Sequence, residues 1–206
     1  LNQSTQKTRS TRDRILDSAY RLFKSRGIAQ VGVDAIVADS GCAKASLYNN
    51  FASKEDLAIA FLERREALWT RDWLEKEVRQ RTADPRERLL GIFDLFDEWF
   101  HRKNFEGCSF INVLLESEFN SPIHRAATRH LDNIQAVIRG FAIDAGLDDS
   151  GSFAQAWHIL MKGSIVAACE GNRNAAKIAQ RTGVALLETW PRLAQPQKRG
   201  SVAQDA

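Results

Sequence analysis

Residues 33–51, VDAIVADSGCAKASLYNNF, decide the fold. Val33, Ile36 and Val37 recur at i, i+3 and i+4, which puts them on one face of a short helix. Gly41 supplies a turn, and Cys42 is a small apolar plug beneath it. A second short helix follows, with Leu47 and Phe51 pointing inward and Lys44, Ala45, Tyr48 and Asn49 left on the opposite face. Such a face suits DNA: lysine neutralises phosphate, a small residue permits close approach, and asparagine offers adenine both a donor and an acceptor. A plain helical hairpin has the same spacing, so this stretch alone leaves both readings open.

The flanks extend the pattern. A helix is expected from about Thr11 to Arg26, opened by a Ser10–Asp13 capping box and stopped by Gly27, with Ile15, Ala19, Leu22 and Phe23 as its buried stripe. Lys7, Arg9 and Arg12 precede or open it, within reach of phosphates or a minor groove. Ser53 and Asp56 form a second capping box, whose free amides and Lys54 make a positive helix end beside the second motif helix. Residues 1–60 hold nine Lys/Arg against six Asp/Glu, whereas the remainder holds twenty of each, so the net charge of +3 sits with the motif.

Read together, residues 11–61 resemble the DNA-binding domain of the tetracycline-repressor (TetR) family of transcriptional regulators. The resemblance rests on Arg14-Ile15-Leu16, Ala19, Leu22-Phe23, Arg26-Gly27, Val33-Asp34, Ile36, Gly41, Lys44, Ser46-Leu47-Tyr48, Phe51, Ser53-Lys54-Glu55 and Leu57. It covers about a quarter of the chain; the rest resembles the family only in its all-helical layout. Departures are Val31-Gly32 and Ala43, where Ser or Thr is usual, and Asn49-Asn50 in place of paired aromatic or histidine residues. Ala43 leaves the second motif helix without a side-chain cap, a loss of roughly 1 kcal/mol. The residues and the resemblance together place DNA contacts at Arg9, Arg12, Val33, Lys44, Ala45, Ser46, Tyr48, Asn49, Asn50, Ser53 and Lys54. The resemblance implies a homodimer on double-stranded operator DNA, with half-sites about one helical turn, roughly 34–36 Å, apart.

Downstream, a long helix from Ser53 to about Arg79 links this unit to further helices. Asp84-Pro85 opens the next, a short one carries Cys108 to Phe119, Ser121-Pro122 opens another, and the last two run over about 152–170 and 174–190. The expected class is all-α with about nine helices. Its parts are a disordered basic arm (1–9), a helix-turn-helix domain (10–52), a helical ligand-binding and dimerisation domain (53–193) and a disordered tail (194–206). Aromatics crowd the middle of the chain. An ordinary core explains each of them singly; collectively they suit an apolar pocket, and the resemblance implies a small hydrophobic or aromatic ligand there. The candidate lining is Trp69, Trp73, Phe93, Phe96, Trp99, Phe100, Cys108, Phe110, Ile111, Leu114, His124 and Trp157, with His101, Asn112, Glu116 and His158 as further polar orienters. In the last two helices Ile159, Gly163, Ala167, Ala179, Gly183, Leu186 and Trp190 combine small and bulky residues at helical spacing. That fits a monomer core or a dimer interface, and the resemblance favours the interface.

Other classes fare worse. The four histidines stand singly, no serine sits in a nucleophile elbow, and Cys42, Cys108 and Cys169 follow no ligand pattern, so no catalysis, metal or cofactor is expected. Odd, widely spaced cysteines argue for a reducing cytoplasm, and no apolar run nears the roughly 18 residues of a membrane span. The polar start LNQSTQKTRS shows no signal stretch. Cys108 stands at a helix opening with Arg102 and Lys103 nearby, which favours a thiolate, whereas Glu106 and burial oppose one. The leading expectation is a homodimeric repressor released by a small ligand; a ligand-independent DNA-binding dimer is the alternative.

Overall fold

The computed structural model describes residues 9–193, so most of the expected arm, with Lys7, and the tail from 194 lie outside the described residues. Within them the chain forms nine helices and no strand. They are α1 (Thr11–Arg26), α2 (Val33–Ser40), α3 (Lys44–Asn50), α4 (54–81), α5 (Pro85–Phe100), α6 (Ser109–Glu116), α7 (Pro122–Asp144), α8 (Ser150–Cys169) and α9 (Ala175–Thr189).

Local chemistry sets most of the starts. The hydroxyls of Ser10, Ser53 and Ser121 accept hydrogen bonds from the amides of Asp13, Asp56 and His124, and the Asp84 carboxylate accepts from Arg86 and Glu87 ahead of α5. Helices α2 and α3 are different. Gly32 and Ala43 stand at their N-caps and neither supplies a side-chain acceptor. Gly41 ends α2 at φ +61°, a left-handed conformation that costs a glycine little. The Arg14 guanidinium closes this turn, donating to the carbonyls of Ser40 (2.9 Å) and Gly41 (3.2 Å).

The N-terminal core joins Ile15, Ala19 and Phe23 of α1 to Ile36, Leu47 and Phe51, and then to Leu57 and Phe61 of α4. Tyr20 and Phe23 meet the Phe61 ring edge-on at 5.4 and 5.6 Å between centroids. Beyond Glu66 the long helix changes character: Ala67–Glu75 is wound as a π-helix before α-geometry resumes at Lys76–Arg81. Hydrophobic spacing gave no sign of this. Helix α7 packs on α4, α6 and α8, and α9 packs on α5 and α8.

Four expectations are corrected here. Gly183, placed at a dimer face by its spacing, is buried within the chain: a Cβ there would stand 2.8 Å from Cη2 of Trp157 and 3.3 Å from Cε2 of Phe93. Ala179 is also buried, and Trp190 meets Phe153 edge-on and donates its indole N–H to the Asp148 carbonyl at 2.8 Å. The small residues of α9 therefore serve a close approach inside one chain. Phe119 lies beyond α6, which stops at Glu116, and is 82% exposed against His124.

Gly183→Leu should therefore overpack the core rather than split an interface. Overpacking costs about 1–3 kcal/mol, which in a chain of this size lowers Tm by roughly 3–10 °C. Thermal melting beside sedimentation at low temperature tests this: an unchanged Tm with a lost oligomer would return Gly183 to an interface.

Candidate functional site

Helix α3 presents one face outward because Leu47, in its middle, is anchored in the core and Phe51 closes it off. Lys44, Ala45, Tyr48, Asn49 and Asn50 are exposed, while Ser46 is half-buried. Lys44 Nζ lies 2.8 Å from the Asp34 carboxylate, and this partner raises the lysine pKa. Phosphate would have to compete with that exposed pair. The Asn50 amide N–H donates to the Ser46 carbonyl at 2.8 Å, which commits its donor within the helix. Asn49 makes no side-chain hydrogen bond among the described residues, so it stands free to read a base edge. Val33 turns toward the core and contributes packing.

The remaining expected contacts flank α3. Arg12 lies over the Phe51 ring at 4.9 Å, and Arg9 pairs at 2.8 Å with Asp17, which also holds Arg64 of α4. Ser53 is occupied as the α4 cap, with Lys54 as the first residue of that helix.

The expected pocket residues separate into three groups. Phe93, Phe96, Phe100, Phe110 and Trp157 are fully buried and pack on one another or on neighbouring helices, so they form core rather than lining. Trp69, Trp73 and Trp99 line an open cleft of about 250 Å³ together with Lys24, Arg65, Arg102 and Glu106. Trp69, Cys108 and Ile111 also border a buried void of about 10 Å³ with His158 and Met161. Leu114 is half-buried against the core, and His124 meets Ser117 at 3.3 Å, away from both cavities. His101 is exposed at the end of α5, and Asn112 and Glu116 line a separate groove beside the end of α1.

Several buried polar atoms lack partners, on Trp69 and His158 beside the void and on His130 of α7. The indole N–H of Trp69, Nδ1 of His158 and both ring nitrogens of His130 are buried without a hydrogen bond among the described residues. Native interiors seldom leave such groups unpaired. Burial, followed by the charge of Lys162, holds the His158 pKa down at about 3, and burial also lowers that of His130. Sequence reading missed His130 entirely, and it missed Lys24 and Arg65, which meet Arg102 only through tertiary packing. Cys108 is buried, and desolvation pushes its thiol pKa up despite the amides of Phe110 and Ile111, so burial outweighs the helix opening. Its neighbour Gly107 (φ +75°) leaves room for Cys169, whose Sγ would lie 2.9 Å from a Cβ there.

No helix among the described residues is long and apolar enough to cross a membrane, and no group of three potential metal ligands occurs among them. An exposed α3 braced on α1 and carried by α4 has the arrangement of a helix-turn-helix. Residues 15–61 match the family described as bacterial regulatory proteins, tetR family. An uncharacterized HTH-type transcriptional regulator of Mycobacterium tuberculosis is 41% identical over 90 residues, 42% of each chain. The HTH-type transcriptional repressor KstR2 of the same organism is 37% identical over 87 residues, 41% of each. The matched stretch thus spans about two fifths of these relatives. A solved TetR transcriptional regulator from Streptomyces avermitilis is similar over 87% of this chain and 97% of its own, with a TM-score of 0.77 at 27% identity. Residues 15–61 therefore carry the DNA-binding helix-turn-helix of that family, and most of the chain shares the fold of a solved TetR regulator.

Two outcomes follow from this geometry. Lys54→Ala should weaken binding to all duplexes and reduce the salt slope by about one unit, whereas Asn49→Ala should relax preference at one position per half-site. Fluorescence anisotropy on a selected duplex and its point variants separates them, and unchanged selectivity would remove Asn49 as a reader. The second outcome concerns acid. The His158 pKa of about 3 lies below its ordinary value of 6.5, so the unfolded chain binds the extra proton between the two. Stability is full above pH 6.5 and falls by about 1.4 kcal/mol per unit as pH drops toward 3. Denaturant melts at pH 6.5, 5.5 and 4.5 should show a shallower loss for His158→Gln; parallel losses would contradict this.

Proposed function

We propose that the chain is a homodimeric repressor, released from a pseudo-palindromic operator by a small hydrophobic or aromatic ligand. The carrying observation is that α4 belongs to both halves of the molecule. Its first turns pack Leu57 and Phe61 under the DNA-binding helices, and its π-wound stretch carries Trp69 and Trp73 to the cleft. A ligand acts only through a difference in affinity between conformations, and a shared helix gives it a lever on the angle of α3. Repression is the sense carried by the name of KstR2, and a regulator of this kind works in the cytoplasm beside its operator.

Dimerisation is supported by the outer face of α8 and α9. Among the described residues Ile159 (68% exposed), Val166 and Ile178 are exposed apolar side chains, and Gly163 has no atom within 4 Å of where a Cβ would lie. An apolar stripe beside a flat, small-residue position suits close helix packing across a two-fold axis. The ligand-independent alternative accounts for the buried phenylalanines but leaves the cleft and the unpartnered Trp69 and His158 without a role.

Ile159→Glu should yield a folded monomer that binds operator DNA weakly. Sedimentation velocity and DNA binding check this together. A variant that remains dimeric at micromolar concentration would move the interface off α8 and α9.

A further inference from the structure

Three tryptophans and three cations share one cleft at the seam between α1 and the C-terminal helices. Trp69 and Trp73 come from α4 and Trp99 from α5; their centroids lie 5.3–5.9 Å apart, forming a continuous apolar wall. Lys24 comes from the end of α1, Arg65 from α4, and Arg102 from the loop after α5, where its guanidinium sits over Trp73 at 5.5 Å. Among the described residues, Lys24 lies 3.6 Å from Glu106, while no carboxylate approaches Arg65 or Arg102 within 4.0 Å. Arg65 donates only to the Tyr20 hydroxyl, at 3.2 Å. The cleft therefore carries two positive charges without counter-charge beside a flat wall, in a volume of about 250 Å³.

Size and charge select the ligand class. The volume of about 250 Å³ lies just below the roughly 300–1,000 Å³ of pockets for drug-sized ligands, which limits the occupant to one or two rings. Indole faces take flat rings in offset or edge-on contact. An aromatic wall would also attract a quaternary ammonium ion, but three cations in the same space repel it. Guanidinium groups pair with carboxylates through forked hydrogen bonds. We propose that this cleft binds a small planar aromatic carboxylate, its ring against the three tryptophans and its carboxylate held by Arg65 and Arg102. Such an anion also competes with Glu106 for Lys24, loosening an ion pair that ties α1 to the loop before α6. The proposal deepens the effector-responsive reading and rests on it.

Isothermal titration of the full chain with benzoate, salicylate and 2-naphthoate tests it, with the matching amides and benzyltrimethylammonium as controls. At least one carboxylate should bind with a sub-millimolar Kd and its amide at least tenfold more weakly. Arg102→Gln, a change in an exposed loop, should weaken that carboxylate at least tenfold with an unchanged melting temperature. Arg65→Gln should do the same while circular dichroism remains that of the parent. Equal binding of acid and amide, tighter binding of the ammonium ion, full affinity in Arg102→Gln, or no carboxylate binding below 1 mM would overturn the assignment. A parallel arm follows release of a duplex selected from a random pool. A carboxylate that binds in the expected way but leaves DNA affinity unchanged supports the site and overturns the regulatory reading. Release by a compound that Arg102→Gln binds as tightly as the parent keeps the regulator and overturns the site.

Discussion

The edge-on packing of Phe61 between Tyr20 and Phe23 is the contact on which the rest of the molecule depends. It fixes α4 to α1, and α1 in turn carries the motif helices through Ile15, Ala19 and Phe23. Polar contacts reinforce the same joint. Arg64 reaches Asp17 and lies over Tyr20, and Arg65 reaches the Tyr20 hydroxyl. On its other side, the Glu55 carboxylate in the first turn of α4 accepts a hydrogen bond from the Ile123 amide at the start of α7, and Glu66, three turns on, accepts one from Asn133 of α7. One helix is thereby tied along its length to both halves, so the placement of α3 and of α7 is set by the same element.

Winding in the middle of that helix matters for the same reason. A π-helical run of nine residues is long for a geometry seen mostly as single turns and frequent at functional positions. Here it coincides with the residues that form one wall of the cleft. The chain accepts a less favourable backbone just where Trp69 and Trp73 must meet Trp99, while Leu74 and Val78 stay in the core.

Much of this was legible in the sequence, and the limits have physical causes. Capping residues act through bonds to amides two or three positions away, so Ser10, Ser53, Asp84 and Ser121 announced their helices without tertiary information. The outward face of α3 was equally local, because Leu47 and Phe51 fix its rotation. Gly183 was misread because a small residue at helical spacing says that something comes close, not which partner does: Trp157 of the same chain fills that space. Phe93, Phe96 and Trp157 were misread as lining because pocket wall and core have the same composition. Lys24, Arg65 and Arg102, separated by about 40 residues at each step, become neighbours only when α1 docks on α4.

The bare N-caps of α2 and α3 have a further consequence for how the DNA-reading unit holds its shape. Each lacks the bond that Ser or Asp supplies ahead of α1, α4, α5, α7 and α8, a loss of roughly 1 kcal/mol at Ala43 and a few tenths at Gly32, so these two short helices rely on docking and on the Arg14 clasp. Isolated helices of seven or eight residues barely persist in water. The reading head is therefore the segment whose amides should exchange with solvent through the smallest local openings. A duplex docked on α3 would brace the least self-supporting helices of the chain, and part of its binding free energy would go into holding them in place.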